Sequence, residues 1–483
     1  MKNKSIKKQI KSFIKICLGK IRYTILFICN INKIFPLIFS FVELSEEFLE
    51  SNTYYLLLIL SKFNIKLWKK ALNKLEYYNL QRIRNRQSLK TAFLCNLSAT
   101  WSCDELYKML LKSDFFYPYI IVPHFYNGTK TTIEEAVEET FQFFIKKGYE
   151  VYKDYDWEKG KFLGLSDLGK PDLIFHLSPY NFAFPDEMNI CNFPLFTLNI
   201  NVPYGIYVAE LSETQYNLDS FSMYWKIFDL PFYCQIASKY TKLGNFNRVP
   251  SGYCKLDAFY EHIDKQKYEK TYWKGSPENI RIVYAPHHSI GESCQQFSTF
   301  DKNYDLIYEF ARRLPHTSWV FKPHPLLKKA SVEAGVFNDE REYEQYEEKW
   351  NQLPNGKVIT GGDYFPLFQT SDCMILDSDS FLAEYQYVHK PILLLTRDTQ
   401  KFSDLGIPLS KTLYRAEGND INAIDIFLTE IVRQGKDRLK EEREIFFDNY
   451  LNYYKENGKS ASEYIFSYLS KKIYLSEGGS HAQ

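Results

Sequence analysis

Three short polar runs in the C-terminal half each follow an apolar run that is typical of a buried strand. In chain order the polar residues are His287, His288 and Ser289 after "IRIVYAP", Lys322 and His324 in "KPHP" after "SWVF", and Asp377, Ser378, Asp379 and Ser380 after "CMIL". An ammonium group, imidazole donors and hydroxyls are groups that bind phosphate, and a helix beginning at Ser380 would add backbone N–H groups. These residues predict an anion-binding site.

The Asp377 and Asp379 carboxylates allow a second interpretation. A D-x-D pair can hold a divalent cation against a diphosphate, as in glycosyltransferases with a single nucleotide-binding domain. Two-domain transferases instead neutralise the leaving diphosphate with helix N-termini and basic side chains. Because the motif precedes a predicted helix in the second of two predicted domains, we expect helix capping and phosphate binding at this site, and no metal.

The elements that would position these residues alternate between strands and helices in two series, residues 87–260 and 279–456. This alternation predicts two doubly wound α/β domains that face a cleft, with ligands at the carboxyl ends of the strands. Within the first series, "YWKIF" is expected in a helix and "PFYCQIA" in a short strand. Residues 457–483 are expected to form a C-terminal helix and tail. Neither GxGxxG nor GxxxxGK[ST] occurs, and we predict no cofactor.

Composition places the chain among globular proteins, with 45% hydrophobic and 25% charged residues. The nine cysteines are scattered without a CxxC pair, which suggests neither a zinc site nor a disulfide framework and fits a reducing cytoplasm. We predict no nucleic-acid partner.

Residues 1–86 are predicted to form a basic amphipathic helical arm. Residues 1–42 carry nine lysines and arginines and no acidic residue, whereas the rest of the chain has a net charge of −8. Ile6, Ile10 and Phe13 recur at helical spacing opposite the lysines, a pattern that lies flat on an anionic bilayer. The arm therefore predicts a peripheral protein on the cytoplasmic face of the membrane. The alternative is an arm that packs on the rest of its own chain or, in a homo-oligomer, on a second copy of the chain.

The second series resembles the CDP-glycerol glycerophosphotransferases, the teichoic-acid and capsule polymerases and primases of bacteria. "YAPHHS" at 284–289 is similar to the family's "YAPTWR"-like turn, and "KPHP" at 322–325 is intact. "SDCMILDSDSFLAEYQYVHKPI" at 371–392 matches the segment "SDxxITDYSSxxFDxxxxxKPI", and "VPSGYCKLD" at 249–257 resembles "GxPRxD". The resemblance covers roughly residues 90–455 and implies a GT-B fold.

The resemblance also implies an activity. The family moves an alditol phosphate from a CDP-activated donor to a hydroxyl of a lipid-linked or polymeric surface acceptor, and CMP is released. By matching, His324 and Ser380 would hold the donor phosphates, and Lys322 would add positive charge. Asp377, Ser378 and Glu384 fall on the donor side, where Glu384 either accepts a hydrogen bond from the nucleoside or is an exposed helix carboxylate.

Three positions depart from the family pattern. The family's "WHGT", whose histidine is the expected base, should fall near residues 201–206, which read "NVPYGI" here. His176 and His124, both at predicted strand ends, could supply a base, and of these two we favour His176. His287 or His288, where the family often has Thr-Trp, could act from across the cleft. Asp379 replaces a serine and adds negative charge, while Tyr204 and Gly205 are expected to shape the acceptor side.

Two other classes of function fit the same residues. A nucleotide-sugar glycosyltransferase of this fold would use the same phosphate site and release a nucleoside diphosphate. An inactive scaffold of a membrane polymerase complex would explain the missing WHGT histidine.

Overall fold

The computed structural model describes residues 49–50, 52–125, 132–180, 184–210, 216–290, 295–361 and 364–474. The basic segment 1–42, on which the predicted membrane arm depends, lies outside these residues. None of the helices in the described ranges is long and apolar enough to cross a membrane.

In the described residues, seven parallel strands form the sheet of the first domain, in the order β3-β2-β1-β6-β7-β8-β9. The strands are β1 Leu89–Leu94, β2 Phe116–Val122, β3 Val151–Lys153, β6 Leu173–His176, β7 Leu198–Asn201, β8 Lys226–Asp229 and β9 Arg248–Pro250. A short antiparallel hairpin, β4 Tyr155–Asp156 and β5 Lys161–Phe162, follows β3. The strands are apolar along their length because both faces of the sheet are covered.

The helices of this domain are α1 Tyr55–Phe63, α2 Ile65–Arg84, α3 Asp104–Leu111, α4 Ile133–Lys146, α5 Pro231–Tyr240 and α6 Lys265–Tyr272. Leu57 of α1 and Trp68 of α2 share an apolar cluster with Leu94 and Ile174. Leu106 of α3 belongs to the cluster on the other face of the sheet. Helices α1 and α2, which fall in the second half of the predicted arm, thus pack on the first domain.

The second domain, as far as it is described, has six parallel strands in the order β12-β11-β10-β13-β14-β15. They are β10 Ile280–Ala285, β11 Thr317–Phe321, β12 Gly356–Val358, β13 Cys373–Leu376, β14 Ile392–Thr396 and β15 Tyr414–Glu417. Its helices are α7 Phe300–Arg313, α8 Leu327–Glu333, α9 Glu340–Gln352, α10 Phe365–Thr370, α11 Ser380–Glu384, α12 Gly406–Ser410, α13 Ile421–Ile426 and α14 Lys440–Phe446. The predicted arrangement of two doubly wound domains is confirmed.

The end of the described chain returns to the first domain through α15 Tyr453–Asn457 and α16 Ala461–Tyr474. Leu469 of α16 lies in the same apolar cluster as Leu106 of α3. The carboxylate of Asp257 accepts the backbone N–H groups of Ala461 and Ser462 at 2.9 and 2.8 Å, which caps α16. The predicted C-terminal helix is therefore part of the first domain's packing.

Two elements of the first domain differ from the sequence prediction. "YWKIF" contributes strand β8, which is buried on both faces and lacks an exposed polar side, so its short apolar run fits a helix or a strand equally well. "PFYCQIA" forms helix α5, which has Pro231 in its first turn. The fixed φ of proline suits that position, and Tyr233, Cys234 and Ala237 place a buried stripe at helical spacing.

The two domains touch directly beside the cleft. Ala209 pairs with Phe402 in an antiparallel bridge, and the backbone N–H of Ser403 donates to the carbonyl of Val208 at 2.8 Å. Gly406 begins α12 here, and a Cβ at that position would lie 2.2 Å from the Val208 carbonyl oxygen. The close approach of the two backbones thus requires glycine at position 406.

Candidate functional site

Three histidines come together where β10 and β11 end at their carboxyl termini. The ring centroids of His287 and His288 lie 4.3 Å apart, those of His288 and His324 4.1 Å, and those of His287 and His324 5.1 Å. The strands β10, β11 and β13 are adjacent and parallel, which brings their loops to one edge of the sheet. The structure therefore brings the "YAPHHS" and "KPHP" residues into a single cluster.

The hydrogen bonds of these rings indicate what each nitrogen can do. Nδ1 of His324 accepts the backbone N–H of Leu326 at 3.1 Å, so the proton of the neutral ring resides on Nε2. Nδ1 of His287 lies 2.7 Å from the Ser289 hydroxyl oxygen. Nδ1 of His288 is buried and has no hydrogen-bond partner among the described residues. His324 is thus a donor through Nε2, and His288 has unused capacity.

All three imidazoles are neutral near pH 7. Burial lowers the pKa of His288 to about 4. Burial, together with the neighbouring imidazoles, lowers the pKa of His287 well below its usual range, and burial with His288 and Lys322 does the same for His324. A neutral imidazole can donate one hydrogen bond and accept a proton, so the cluster can both bind an anion and act as a base.

Lys322 is a buried cation without a carboxylate partner among the described residues. Its side chain is 5% exposed, and Nζ lies 5.9 Å from the ring centroid of Tyr364. Burial and the nearby ammonium of Lys255 lower the pKa of Lys322 to about 8. A buried charge is costly unless it is paired, so this position favours an anionic ligand.

Lys255 and Tyr364 belong to the same site, although the sequence analysis did not single them out. Nζ of Lys255 lies 5.2 Å from the Tyr364 ring centroid and 3.6 Å from Oε1 of Glu384. The Tyr364 hydroxyl donates to Oε2 of Glu384 at 2.5 Å. The only sequence signal for Lys255 was its place in "VPSGYCKLD", and Tyr364 carried none.

Glu384 differs from one of the two expectations for it. The side chain is buried, and Lys255 and Tyr364 occupy its two carboxylate oxygens. It is therefore not an exposed helix carboxylate, and its predicted contact with the nucleoside stays a prediction. Its position makes it the counter-charge that holds Lys255 beside Lys322.

Asp377 is buried and connects two loops of the site. Oδ1 accepts the backbone N–H of His287 at 2.6 Å, and Oδ2 accepts the backbone N–H and hydroxyl of Thr299 at 2.5 and 2.7 Å. Burial raises the pKa of this carboxyl to about 6. Asp377 thus positions the histidine loop, and its predicted donor-binding role stays a prediction.

Asp379 connects the two domains. Oδ1 accepts the backbone N–H groups of Val208 and Ala209, both at 2.8 Å, and Oδ2 accepts from the Gln295 amide at 3.1 Å. Its side chain makes no capping hydrogen bond to α11, a helix of only five residues, so the predicted helix cap is wrong. Its charge is compensated by three donors.

Ser378, Ser380, Tyr204 and Gly205 lie where the first domain faces α11. A Cβ on Gly205 would stand 3.2 Å from the hydroxyl oxygen of Ser380, so the backbone of the first domain closely approaches this residue. Ser380 and Tyr204 are half-buried, and Ser378 is buried. The expected acceptor-side and donor-side residues are therefore adjacent.

The histidines predicted in the first domain are not part of this cluster. His176 ends β6, but its ring is 2% exposed and packs against Phe193 and Tyr224, with Nε2 2.9 Å from the Asn199 amide oxygen. Burial lowers its pKa to about 4. The expectation that His176 faces the cleft is wrong, because the side chain points into the apolar layer under α1 and α2.

His124 is half-buried at the end of β2. Its ring packs against the rings of Tyr155, Trp157 and Phe162, with centroid distances of 4.6, 5.0 and 5.2 Å. The described ring contacts of His124 thus belong to the β4–β5 hairpin, and its backbone N–H donates to Asp154 just before it.

The histidine cluster also has the ligand types of a metal site. His287, His288 and His324 form a group of described residues whose nitrogens, all within 4.8 Å of one another, could hold an ion. However, the Leu326 N–H keeps the proton of His324 on Nε2, which makes that atom a donor to an anion. The Asp377 and Asp379 oxygens are already occupied.

We therefore expect turnover to survive incubation with excess EDTA. The measurement is nucleotide release before and after dialysis against the chelator, with added Zn²⁺ or Mg²⁺ as the comparison. Loss of activity that returns with either ion would show that the histidine cluster holds a metal.

The donor affinity should fall as the pH rises through about 8. Lys322 is charged below this value and neutral above it, so the attraction for a phosphate is present at pH 7 and lost in alkaline solution. Arginine stays protonated throughout this range, so Lys322→Arg should not lose affinity for the donor above pH 8. Dissociation constants from pH 6.5 to 9.5 test this, each variant being compared with its own value at pH 7. If Lys322→Arg still loses donor affinity in alkaline solution, the titrating group is a residue other than Lys322.

Two parallel α/β domains, with basic and imidazole side chains at the carboxyl ends of the second sheet, give the chain a GT-B-like fold with a candidate anion site. The chain belongs to the CDP-glycerol:poly(glycerophosphate) glycerophosphotransferase family, whose sequence profile matches residues 215–471. It is an enzyme of the CDP-glycerol glycerophosphotransferase type. The predicted family and class of enzyme are both confirmed.

Two solved structures align with the chain, and the first of them shares its fold. The wall teichoic acid polymerase TagF aligns with 14% sequence identity and a TM-score of 0.50, over 87% of this chain and 97% of that chain. The UDP-GlcNAc 2-epimerase from Neisseria meningitidis aligns with 15% identity and a TM-score of 0.49, over 80% and 100% of the two chains. No curated protein sequence matches the chain significantly.

Proposed function

We propose that the enzyme transfers glycerol phosphate, or a similar alditol phosphate, from a CDP-activated donor to a hydroxyl of a growing teichoic-acid or capsule polymer. The observation that carries the site assignment is Lys322, a buried ammonium without a carboxylate partner among the described residues. A CDP diphosphate supplies the missing negative charge. The solved TagF structure, described as a wall teichoic acid polymerase, supports the acceptor class through its shared fold.

Three groups would hold the donor. Lys322 provides charge, Nε2–H of His324 donates to a phosphate oxygen, and the Ser380 hydroxyl donates from the start of α11. Lys255, held by Glu384 at 3.6 Å, adds a second cation beside Lys322. Hydrogen bonds to charged groups are worth about 1.5–3 kcal/mol each.

In the transfer step, the acceptor hydroxyl oxygen attacks the phosphorus that bears the alditol. The bond from this phosphorus to the bridging oxygen breaks, and CMP leaves with the electron pair. Lys322 and His324 stabilise the charge that develops on the leaving phosphate. The acceptor proton goes to the neutral ring of His288, which is half-buried in the loop after β10.

This assignment fills the role of the histidine missing from the segment 201–206. His288 lies 4.1 Å from the His324 ring, beside the group that binds the leaving phosphate. Its position supports a base that acts from the second domain. Tyr204 and Gly205 would then shape the space for the acceptor, next to Ser380.

A donor panel tests the reaction. The protein is incubated with CDP-glycerol, CDP-ribitol, UDP-GlcNAc and GDP-mannose together with a polymer acceptor, and the released nucleotide is identified by chromatography. We expect CMP from one of the CDP donors. Release of UDP or GDP would identify a sugar transferase, and the absence of turnover with every donor would support the inactive scaffold.

We further propose that the enzyme works at the cytoplasmic face of the membrane, held there by residues 1–42. Nine basic residues in this segment support attraction to anionic lipid, at about 1 kcal/mol per lysine near the surface. Removing residues 1–42 should release the protein from anionic vesicles and lower turnover on lipid-linked acceptors, while turnover on a short soluble acceptor is retained. Continued flotation of the truncated protein would overturn this proposal. That the chain forms a homo-oligomer stays a prediction.

A further inference from the structure

A basic cavity lies at the end of the first domain that faces away from the cleft. Its volume is about 350 Å³, and it sits at the amino ends of β1 and β6. The polar residues that line it are Glu50, Arg82, Arg86, Lys90, Ser166 and Lys170. Ligand sites for small molecules begin at about 300 Å³, so the cavity is large enough for a phosphate with a small alcohol attached.

The charges around the cavity do not balance. Asp172 is fully buried, and its carboxylate pairs with both Arg82 and Arg86 at 2.9 Å. Glu50 lies 3.7 Å from Lys170. The four positive charges of Arg82, Arg86, Lys90 and Lys170 exceed the two negative charges of Asp172 and Glu50. The cavity therefore has a net charge of +2.

The arginines and lysines of the cavity differ in how they are held. Arg82 is fixed, since it also donates to the Phe196 carbonyl at 2.8 Å and lies over that ring. Arg86 and Lys170 keep 41% and 56% of their side chains exposed, and no ion pair of Lys90 occurs within the described ranges. Lys170 has φ of 52°, a left-handed conformation that is uncommon outside glycine and sets its direction beside the cavity.

We infer that this cavity binds a phosphate group on a small headgroup, through Arg86, Lys90 and Lys170. The guanidinium of Arg86 offers parallel donors to phosphate oxygens, and the two lysines add point charges. The same chemistry occurs in an anionic phospholipid and in a free alcohol phosphate. This site is separate from Lys322 and does not depend on the proposed reaction.

The test compares Lys90→Gln/Lys170→Gln with the control Lys112→Gln/Lys146→Gln, which removes two exposed lysines elsewhere on the same domain. One probe is vesicles of phosphatidylglycerol in phosphatidylcholine, with pure phosphatidylcholine as reference. The second is glycerol 3-phosphate, titrated on a Lys322→Met background so that the cleft does not contribute. Thermal melting verifies folding, and Lys90→Arg/Lys170→Arg should preserve binding.

For a lipid ligand we expect the cavity variant to lose roughly thirtyfold in affinity for the anionic vesicles, since each lysine contributes about fivefold at such a surface. For a free phosphate ester, vesicle binding stays unchanged and glycerol 3-phosphate binding falls at least about tenfold. Either result supports the site. Equal losses in the control, or no change with either probe, would overturn it.

Discussion

Lys322→Met is expected to weaken binding of CDP-glycerol by about 10- to 150-fold. The substitution removes one charged hydrogen-bond donor, whose loss costs about 1.5–3 kcal/mol. Isothermal titration with CDP-glycerol provides the measurement. Because methionine is only slightly shorter than lysine and removes a buried charge that lacks a carboxylate partner among the described residues, the free variant should melt at the same temperature or higher.

The melting result separates binding from folding. Lys349→Met, an exposed position on α9 of the same domain, is the matched control and should bind the donor like the wild type. Wild-type affinity in Lys322→Met would mean that the diphosphate lies elsewhere. A lower melting temperature without loss of affinity would make Lys322 a structural residue.

His324→Ala should reduce kcat by about a hundredfold to a thousandfold, the usual effect of removing one donor to a developing negative charge. The reason is Nε2–H, which the backbone contact at Nδ1 keeps protonated and available. Glutamine can place an amide N–H near the same point, so His324→Gln should recover part of the loss. Single-turnover CMP release at saturating donor measures the effect on the chemical step.

His316→Ala is the control for this prediction, since His316 is exposed just before β11, at the opposite end of the strand. Its turnover should equal that of the wild type. Unchanged kcat in His324→Ala would remove the histidine from the leaving-group site. A change in KM alone would reduce its role to donor binding.

The sequence predicted the place of the site because strand alternation fixes which loops share an edge. Parallel strands β10, β11 and β13 had to bring "YAPHHS" and "KPHP" together, and the structure confirms this proximity. The same reasoning could not predict on which face of the sheet the side chain of His176 lies. Strand β6 is buried on both faces, so its apolar run does not reveal which face the histidine occupies.

The roles of the carboxylates could not be predicted from the sequence, for a different reason. The partners of Asp379 are backbone N–H groups 170 and 171 positions earlier in the chain, at Ala209 and Val208. Backbone groups carry no residue-specific signal, so a local motif cannot reveal that its acid connects two domains. Lys255 was missed for a related reason, because its role depends on Glu384 and Tyr364, which are distant in sequence.

The central claim, that the donor diphosphate binds at Lys322, is tested most directly by a crystal structure with CDP-glycerol. We predict that a diphosphate oxygen lies about 3 Å from Nζ of Lys322, with a second contact to Nε2 of His324. The cytidine should then lie in the second domain and the alditol should point toward Gly205. A diphosphate bound away from Lys322, with both of these atoms free of ligand, would contradict the account.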